Sequence, residues 1–294
     1  MSSKGKQSSF NPACFTDALH GRYFSKKRKN RKNQQRQREN LVDWLRKKHK
    51  SNISAQILAD KLENCASKSR CQSPACPECG AAGQRLIATA TRRFLKHHAG
   101  GSAKIVCVTI VPTDGRIKRG KLNKADHERA IRRWKEKLGK AGITWFIGAT
   151  DISLNEHKQN RYKRHWSEHI YGITATKDPK KLKTELRKQF PKNKAIPRPV
   201  KVREWDGNKK ALRYILKPNF WRRIASDNGQ RHNKKTGIAR TCCTTRKARL
   251  RSKERRELFV YLDKIGMQAR LLMRWCQLLN SKSSGPSIML RVPK

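Results

Sequence analysis

Acidic residues are scarce in this chain: 21 Asp and Glu stand against 72 Lys and Arg, a formal net charge of +51 over 294 residues. A chain so one-sided repels itself unless a polyanion offsets it. Long apolar runs are missing as well. Hydrophobic residues make up 35% of the chain, and no stretch approaches the roughly 20 residues of a spanning helix. The opening MSSKGKQSSF lacks the apolar core of a signal peptide. The expected setting is therefore the reducing cytoplasm, with no membrane span, where nine cysteines point to metal or burial rather than to disulfides. Basic residues occur in every segment, not in one tail. Nucleic acid is the expected partner, because each phosphate neutralised by Lys or Arg releases condensed counterions. A membrane surface is the weaker alternative.

Residues 1–38 have too little apolar content to pack, and SKKRKNRKNQQRQR from Ser25 to Arg38 predicts a disordered basic tail. A helical and zinc-binding region over 39–100 follows. Leu41, Trp44, Leu45 and Lys48 fall at helical spacing, and Ser54 can cap a second helix carrying Ile57, Leu58 and Leu62. Cys65, Cys71, Cys76 and Cys79 then give a C-x5-C-x4-C-x2-C spacing, with Pro77 and Gly80 shaping the last turn. Four reduced thiols among polar neighbours predict a structural zinc site with every coordination position filled by protein. Metal binding of order 10 kcal/mol would replace the core this stretch lacks. Leu86, Ala90 and Phe94 mark the helix after it.

Residues 101–220 alternate between strand and helix patterns. Ile105–Val111 is apolar on both faces, as a central strand is. Asp126, Ala130, Ile131, Trp134 and Leu138 outline a helix; Trp145–Ser153 and His165–Ile173 are strands; Asp178-Pro179 opens a helix through Leu182, Leu186 and Phe190; Pro197–Trp205 is a strand; a last helix runs to Pro218. This is an α+β domain, an antiparallel sheet with helices on one face. Residues 221–251 read as a basic linker and 252–294 as two amphipathic helices, the second through Met267, Leu271, Trp275 and Leu278.

Chemistry concentrates in two places. Along HWSEHIYGI, His165, Ser167, His169 and Tyr171 project from one strand face. A hairpin with the preceding strand can bring Asp151 towards the imidazoles, and a carboxylate beside imidazole outlines a divalent-metal pocket. Register decides whether they meet, and Asp151 reads equally well as an exposed turn-former. Glu156 and His157 in the following loop are looser alternatives. The second place is Tyr214, flanked at helical spacing by Lys210 and Lys217, which can favour phenolate or bind phosphate. Alternatively Tyr214 packs on the sheet with Ala211 and Ile215. Lys210, Arg213, Arg222 and Arg223 are the expected nucleic-acid contacts, while Cys242 and Cys243 read as ordinary thiols.

The ordered set RCQSPACPECG, VCVTIVP, HWSEHIYGI and ALRYILKP, over roughly residues 65–220, resembles the replication-initiator branch of the HUH endonucleases. The resemblance implies a ferredoxin-like or RRM-like core and a Mg or Mn ion held by His169 with His165 and Asp151. It also implies that Tyr214 is the nucleophile and Lys217 its companion lysine. Tyr171 stands where the family has its second histidine. The implied function is nicking and rejoining of single-stranded or hairpin origin DNA in rolling-circle replication of a plasmid or mobile element, with a host helicase or polymerase as partner. A noncatalytic zinc-containing DNA-binding protein, its site lost at Tyr171, is the alternative. An RNA-binding protein is a more distant one.

Overall fold

Up to residue 220 the β-branched apolar runs become strands and the three-and-four spaced apolar stripes helices. The computed structural model describes residues 28–66, 69–98, 102–193, 195–232, 237, 239–281 and 285–290. Its helices among the described residues are α1 (Arg28–Lys48), α2 (Ile53–Glu63), α3 (Pro77–His98), α4 (His127–Lys140), α5 (Pro179–Gln189), α6 (Lys209–Tyr214) and α7 (Ser252–Ala269). The strands are β1 (Lys104–Ile110), β2 (Arg116–Lys118), β3 (Phe146–His157), β4 (His165–Thr176), β5 (Val200–Glu204), β6 (Arg222–His232), β7 (Ala239–Ala248), β8 (Leu271–Arg274), β9 (Cys276–Ser281) and β10 (Gly285–Leu290).

The main sheet runs β5-β1-β4-β3-β6-β7, with β2 added to β4 and β8 to β3; β9 and β10 form a separate pair. From β1 to β5 the chain is a βαββαβ unit whose neighbours are all antiparallel. The β3–β6 junction is parallel, so the sheet is mixed where the sequence predicts an antiparallel one.

Alternation sorts the side chains into two layers. Val106, Val108, Ile110, Phe146 and Ile170 pack under α4 and α5, against Trp134, Leu138, Leu186 and Phe190. Ile152, Leu154 and Trp166 continue that layer under Leu258, Tyr261 and Leu262 of α7. Ile147, Ala149 and Ile173 face the other way, onto a cluster with Leu41, Leu45, Leu86 and Ala90 of the N-terminal helices and Leu212 of α6. Helices therefore cover both faces, because the cysteine region docks on the face expected to be open. Gly148 and Gly172 are paired across β3 and β4 and let the Phe146 ring lie on the backbone. A Cβ at Gly172 would meet Phe146 Cζ at 2.4 Å and the Ile147 carbonyl at 2.7 Å.

Three predicted segments differ from the structure. Residues 28–38 of the expected tail are the first half of α1; residues 1–27 of it lie outside the described residues. The expected linker is the β6–β7 hairpin, whose strands hide no continuous apolar face and so carry no periodic signal. The second C-terminal helix is replaced by β8 and β9. Gly266 breaks α7 at φ 75, Trp275 sits at φ 50, and Leu271–Met273 are drawn into pairing with β3. None of the helices among the described residues is long and apolar enough to cross a membrane.

Candidate functional site

The β3–β4 register pairs Asp151 directly with His169. Ala149, Asp151, Ser153 and Asn155 thus share a face with Tyr171, His169, Ser167 and His165. It is the face on which α6 packs, at the point where the apolar cluster ends. His169 Nε2 lies 3.1 Å from Ser153 Oγ. Burial depresses its pKa to about 4, the nearby Asp151 charge only partly offsetting that loss of solvation. The ring is therefore neutral at pH 7, the form that ligates metals.

Asp151 is 7% exposed. Its Oδ2 is 2.6 Å from Lys217 Nζ, while Oδ1 is buried without a hydrogen-bond partner, as is Ser167 Oγ on the same face. Buried polar atoms left unpaired are costly. Here two of them flank a neutral imidazole, a donor set suited to a hard divalent cation.

Lys217 joins this cluster to Tyr214. Its ammonium donates to Tyr214 Oη at 3.1 Å and lies 4.7 Å from the ring centroid. The chain makes this connection by ending α6 at Tyr214 and turning through Leu216, a buried leucine at φ 58. A bulky residue in the left-handed region costs on the order of 1–3 kcal/mol and persists only where its surroundings impose it. Arg270, entirely buried and lowered by desolvation to about 10, fastens the turn: its Nη2 donates to the carbonyls of Thr150 (3.2 Å) and Lys217 (3.1 Å). Tyr214 is 39% exposed, so it is reachable from solvent rather than packed away with Ala211 and Ile215.

Other predicted residues lie elsewhere. His165 pairs with Asn155, four residues along the strand from His169; its Nδ1 donates to the Lys163 carbonyl (2.9 Å) and neighbours Arg116. It does not join Asp151. Tyr171 sets its ring against Tyr214, centroids 4.7 Å apart, and burial beside Cys107 raises its phenol well above the ordinary value. It packs on Tyr214 and pairs across the sheet with Ala149, one position along the face from Asp151. Lys210 and Arg213 are exposed on α6. Arg223 faces the His169 side, where its charge contributes to lowering that imidazole. Arg222 points the other way, into an ion pair with Glu156 at 2.8 Å, joined by Arg164 and Arg251 at 3.2 Å each. Glu156 and His157 end β3 instead of lying in a loop, and neither meets His169.

The second centre is the cysteine cluster at the start of α3. Cys65 and Cys79 sulfurs are 3.6 Å apart, Cys71 and Cys79 3.7 Å, and Cys65 and Cys76 3.9 Å. A tetrahedral zinc with bonds near 2.3 Å separates its sulfurs by about 3.8 Å. Hydrogen bonds from Cys71 and the other thiols push Cys65 down, and hydrogen bonding to Cys65 and Cys71, with burial, raises Cys76 and Cys79. Cys71 is lowered as well, whereas Cys76 and Cys79 ionise readily only with a cation beside them. The four cysteines can thus hold a metal ion such as zinc. Arg38 and Arg70 brace the cluster through Glu78 at 2.8 and 2.7 Å.

The chain matches no family model, no curated protein and no solved structure.

Two further groups escaped the sequence reading. His127 Nδ1 is 2.8 Å from Glu168 Oε1, to which Tyr261 also donates at 3.0 Å. This network locks β4 to α4 and α7 behind the histidine face. His157, Asp227 and Cys243 also converge. There the His157 Nδ1 accepts the Gln159 amide (3.2 Å), and Nε2 faces Asp227 at 3.4 Å; the set is an imidazole–carboxylate contact with a thiol beside it.

Proposed function

We propose that the chain is a DNA strand-nicking and rejoining protein in which Tyr214 is the nucleophile. The observation that carries this reading is the continuous polar path Tyr214–Lys217–Asp151, with Asp151 facing His169. Structural ion pairs are common, but this one ends on an exposed phenol. The strand order β5-β1-β4-β3 of the βαββαβ unit is the ferredoxin-like arrangement, which supports the resemblance to HUH replication initiators.

Asp151 and His169, with Ser167 Oγ beside them, fit a Mg or Mn ion. When bound, such an ion polarises the scissile phosphate. The chain's own groups account for the rest. The Lys217 ammonium, already on Tyr214 Oη, stabilises the phenolate character that attack requires. Exposed Lys210 and Arg213 and half-buried Arg223 hold the phosphate backbone. Attack of Tyr214 Oη on phosphorus forms a phosphotyrosine bond and breaks the bond to the 3′-oxygen, which gains the proton that the phenol loses. Reversal by the same 3′-hydroxyl rejoins the strand. Tyr171 takes the place of a second imidazole without acting as one, which leaves His169 as the imidazole of the site, beside Asp151 and Ser167.

The cysteine site we assign to structural zinc. The test of the reading is covalent capture: the wild-type chain forms an adduct on single-stranded DNA and Tyr214→Phe forms none, whereas binding without an adduct at any divalent ion makes the chain a noncatalytic DNA-binding protein.

A further inference from the structure

The first half of α1 has no apolar side to bury; its hold on the rest of the chain is Arg38, bonded to Glu78 and to the Leu62 carbonyl. Residues 28–38 read RKNRKNQQRQR, with six Lys and Arg and no acid. No acidic residue occupies the first turn. Lys29, Lys32 and Arg36 follow at three- and four-residue spacing, so like charges stack on one stripe, which destabilises an isolated helix. Packing begins only at Leu41, Val42 and Leu45. Between Lys29 and Gln37 every residue except Gln34 is exposed. A helix polar on all sides gains nothing from burial, and this one is also self-repelling.

Beside it lies a groove of about 370 Å³ between α1 and the cysteine loop, lined by Arg31, Lys32, Gln35 and Arg38 on one wall and Arg70 and Glu78 on the other. Its one carboxylate is already held by Arg38 and Arg70. The groove is therefore a cationic flank to the helix, braced by the cysteine cluster.

We propose that this half of α1 docks in the major groove of double-stranded DNA, with the flanking groove taking a backbone phosphate. Three observations select that partner. The exposed face mixes Arg and Lys with Asn30, Asn33, Gln35 and Gln37, the side chains that bond base edges in the major groove. It contains no aromatic residue, so it offers no stacking platform for single strands. Its helical form, about 10–12 Å across with its side chains, fits a groove about 12 Å wide in B-form DNA and not the deep, narrow one of RNA duplexes. The surface is remote in sequence from Tyr214 and does not depend on its chemistry. It gives the chain a duplex-holding element separate from its single-strand site.

The test uses the full chain and fluorescence anisotropy with a duplex DNA of about 20 bp, the matching single strand and the matching RNA duplex. The variant carries Lys29→Gln, Arg31→Gln, Lys32→Gln and Arg36→Gln together. A control removes the same charge from α5 and its lead-in through Lys177→Gln, Lys180→Gln, Lys181→Gln and Arg187→Gln. At about 0.9 ion per phosphate contact, the α1 variant lowers the log–log salt slope for duplex DNA by about 3–4 and its affinity at low salt by roughly 100-fold or more. Single-strand affinity and adduct formation at Tyr214 stay within about threefold. Circular dichroism shows helix content undiminished, since removing like charges relieves repulsion. An unchanged duplex slope, an equal loss in the α5 control, a parallel loss on single strands, or RNA duplex bound as tightly as DNA overturns the proposal. Absence of any adduct with duplex binding intact overturns only the nicking reading.

Discussion

Replacing Lys217 with methionine tests whether Asp151 and Tyr214 form one unit. The substitution keeps the stem's bulk and removes the cation 2.6 Å from a carboxylate whose side chain is 9% exposed and whose other oxygen is already unpaired. Removing one partner of a buried pair costs about 3–5 kcal/mol because a bare charge remains. The Lys217 side chain keeps 14% exposure and Arg270 leaves positive charge nearby, which puts the cost at the low end, about 3 kcal/mol. Asp151→Asn leaves an ammonium that can reach water and costs about 1 kcal/mol. The double variant Asp151→Asn/Lys217→Met stays within about 2 kcal/mol of wild type, so the coupling is about 2 kcal/mol. Urea denaturation without added Mg or Mn measures the cycle, and melting follows with a drop of roughly 6–12 °C for Lys217→Met alone. A Lys217→Met protein as stable as wild type, or strictly additive single variants, would refute the linkage on which the site is built.

Three other outcomes follow from the geometry. Gly172→Ala forces a methyl onto the Phe146 ring and the Ile147 carbonyl; since backbone cannot give way, thermal melting should report a loss of about 2–3 kcal/mol. Metal analysis should find one zinc per chain, absent in Cys76→Ser, with that variant losing helical circular dichroism as the support of α3 goes; retention of full metal in Cys76→Ser contradicts the four-cysteine assignment. For pH, the folded-state pKa of His169 lies below its ordinary 6.5, at about 4, so the unfolded chain binds the extra proton. Stability from this group is complete above pH 6.5 and is lost as pH falls towards 4, by up to about 3 kcal/mol. His169→Gln should flatten that part of the stability–pH curve, and an unaltered curve would show that the imidazole is not buried as described.

Features set by local chemistry were legible in the sequence. The cysteine spacing identified a cluster whose sulfurs do converge, because short loops leave the ligands little choice of position. Tyr214 and Lys217 are three residues apart, and the structure joins them. Asp151 was ambiguous for one reason: a single-residue slip in β3–β4 would have turned it to the opposite face. Arg222 and Arg223, adjacent and chemically alike, diverge because successive residues in β6 face opposite layers; one clasps Glu156 and the other faces His169. Long-range partners left no local trace. Arg270 reaches Thr150 and Lys217 from far along the chain, and nothing in its surroundings in the sequence announces a buried guanidinium. The hydrophobic spacing of Met267, Leu271 and Leu278 matched a helix, yet pairing of Leu271–Met273 with β3 won.

The most direct test of the central claim is a denaturing-gel assay of the full chain on labelled single-stranded DNA. Wild type and Tyr214→Phe are compared with added Mn and without divalent ion. The account predicts a Mn-dependent, covalently linked protein–DNA band in wild type that is absent from Tyr214→Phe. An adduct that survives Tyr214→Phe, or DNA bound tightly with no adduct under any condition, would contradict it.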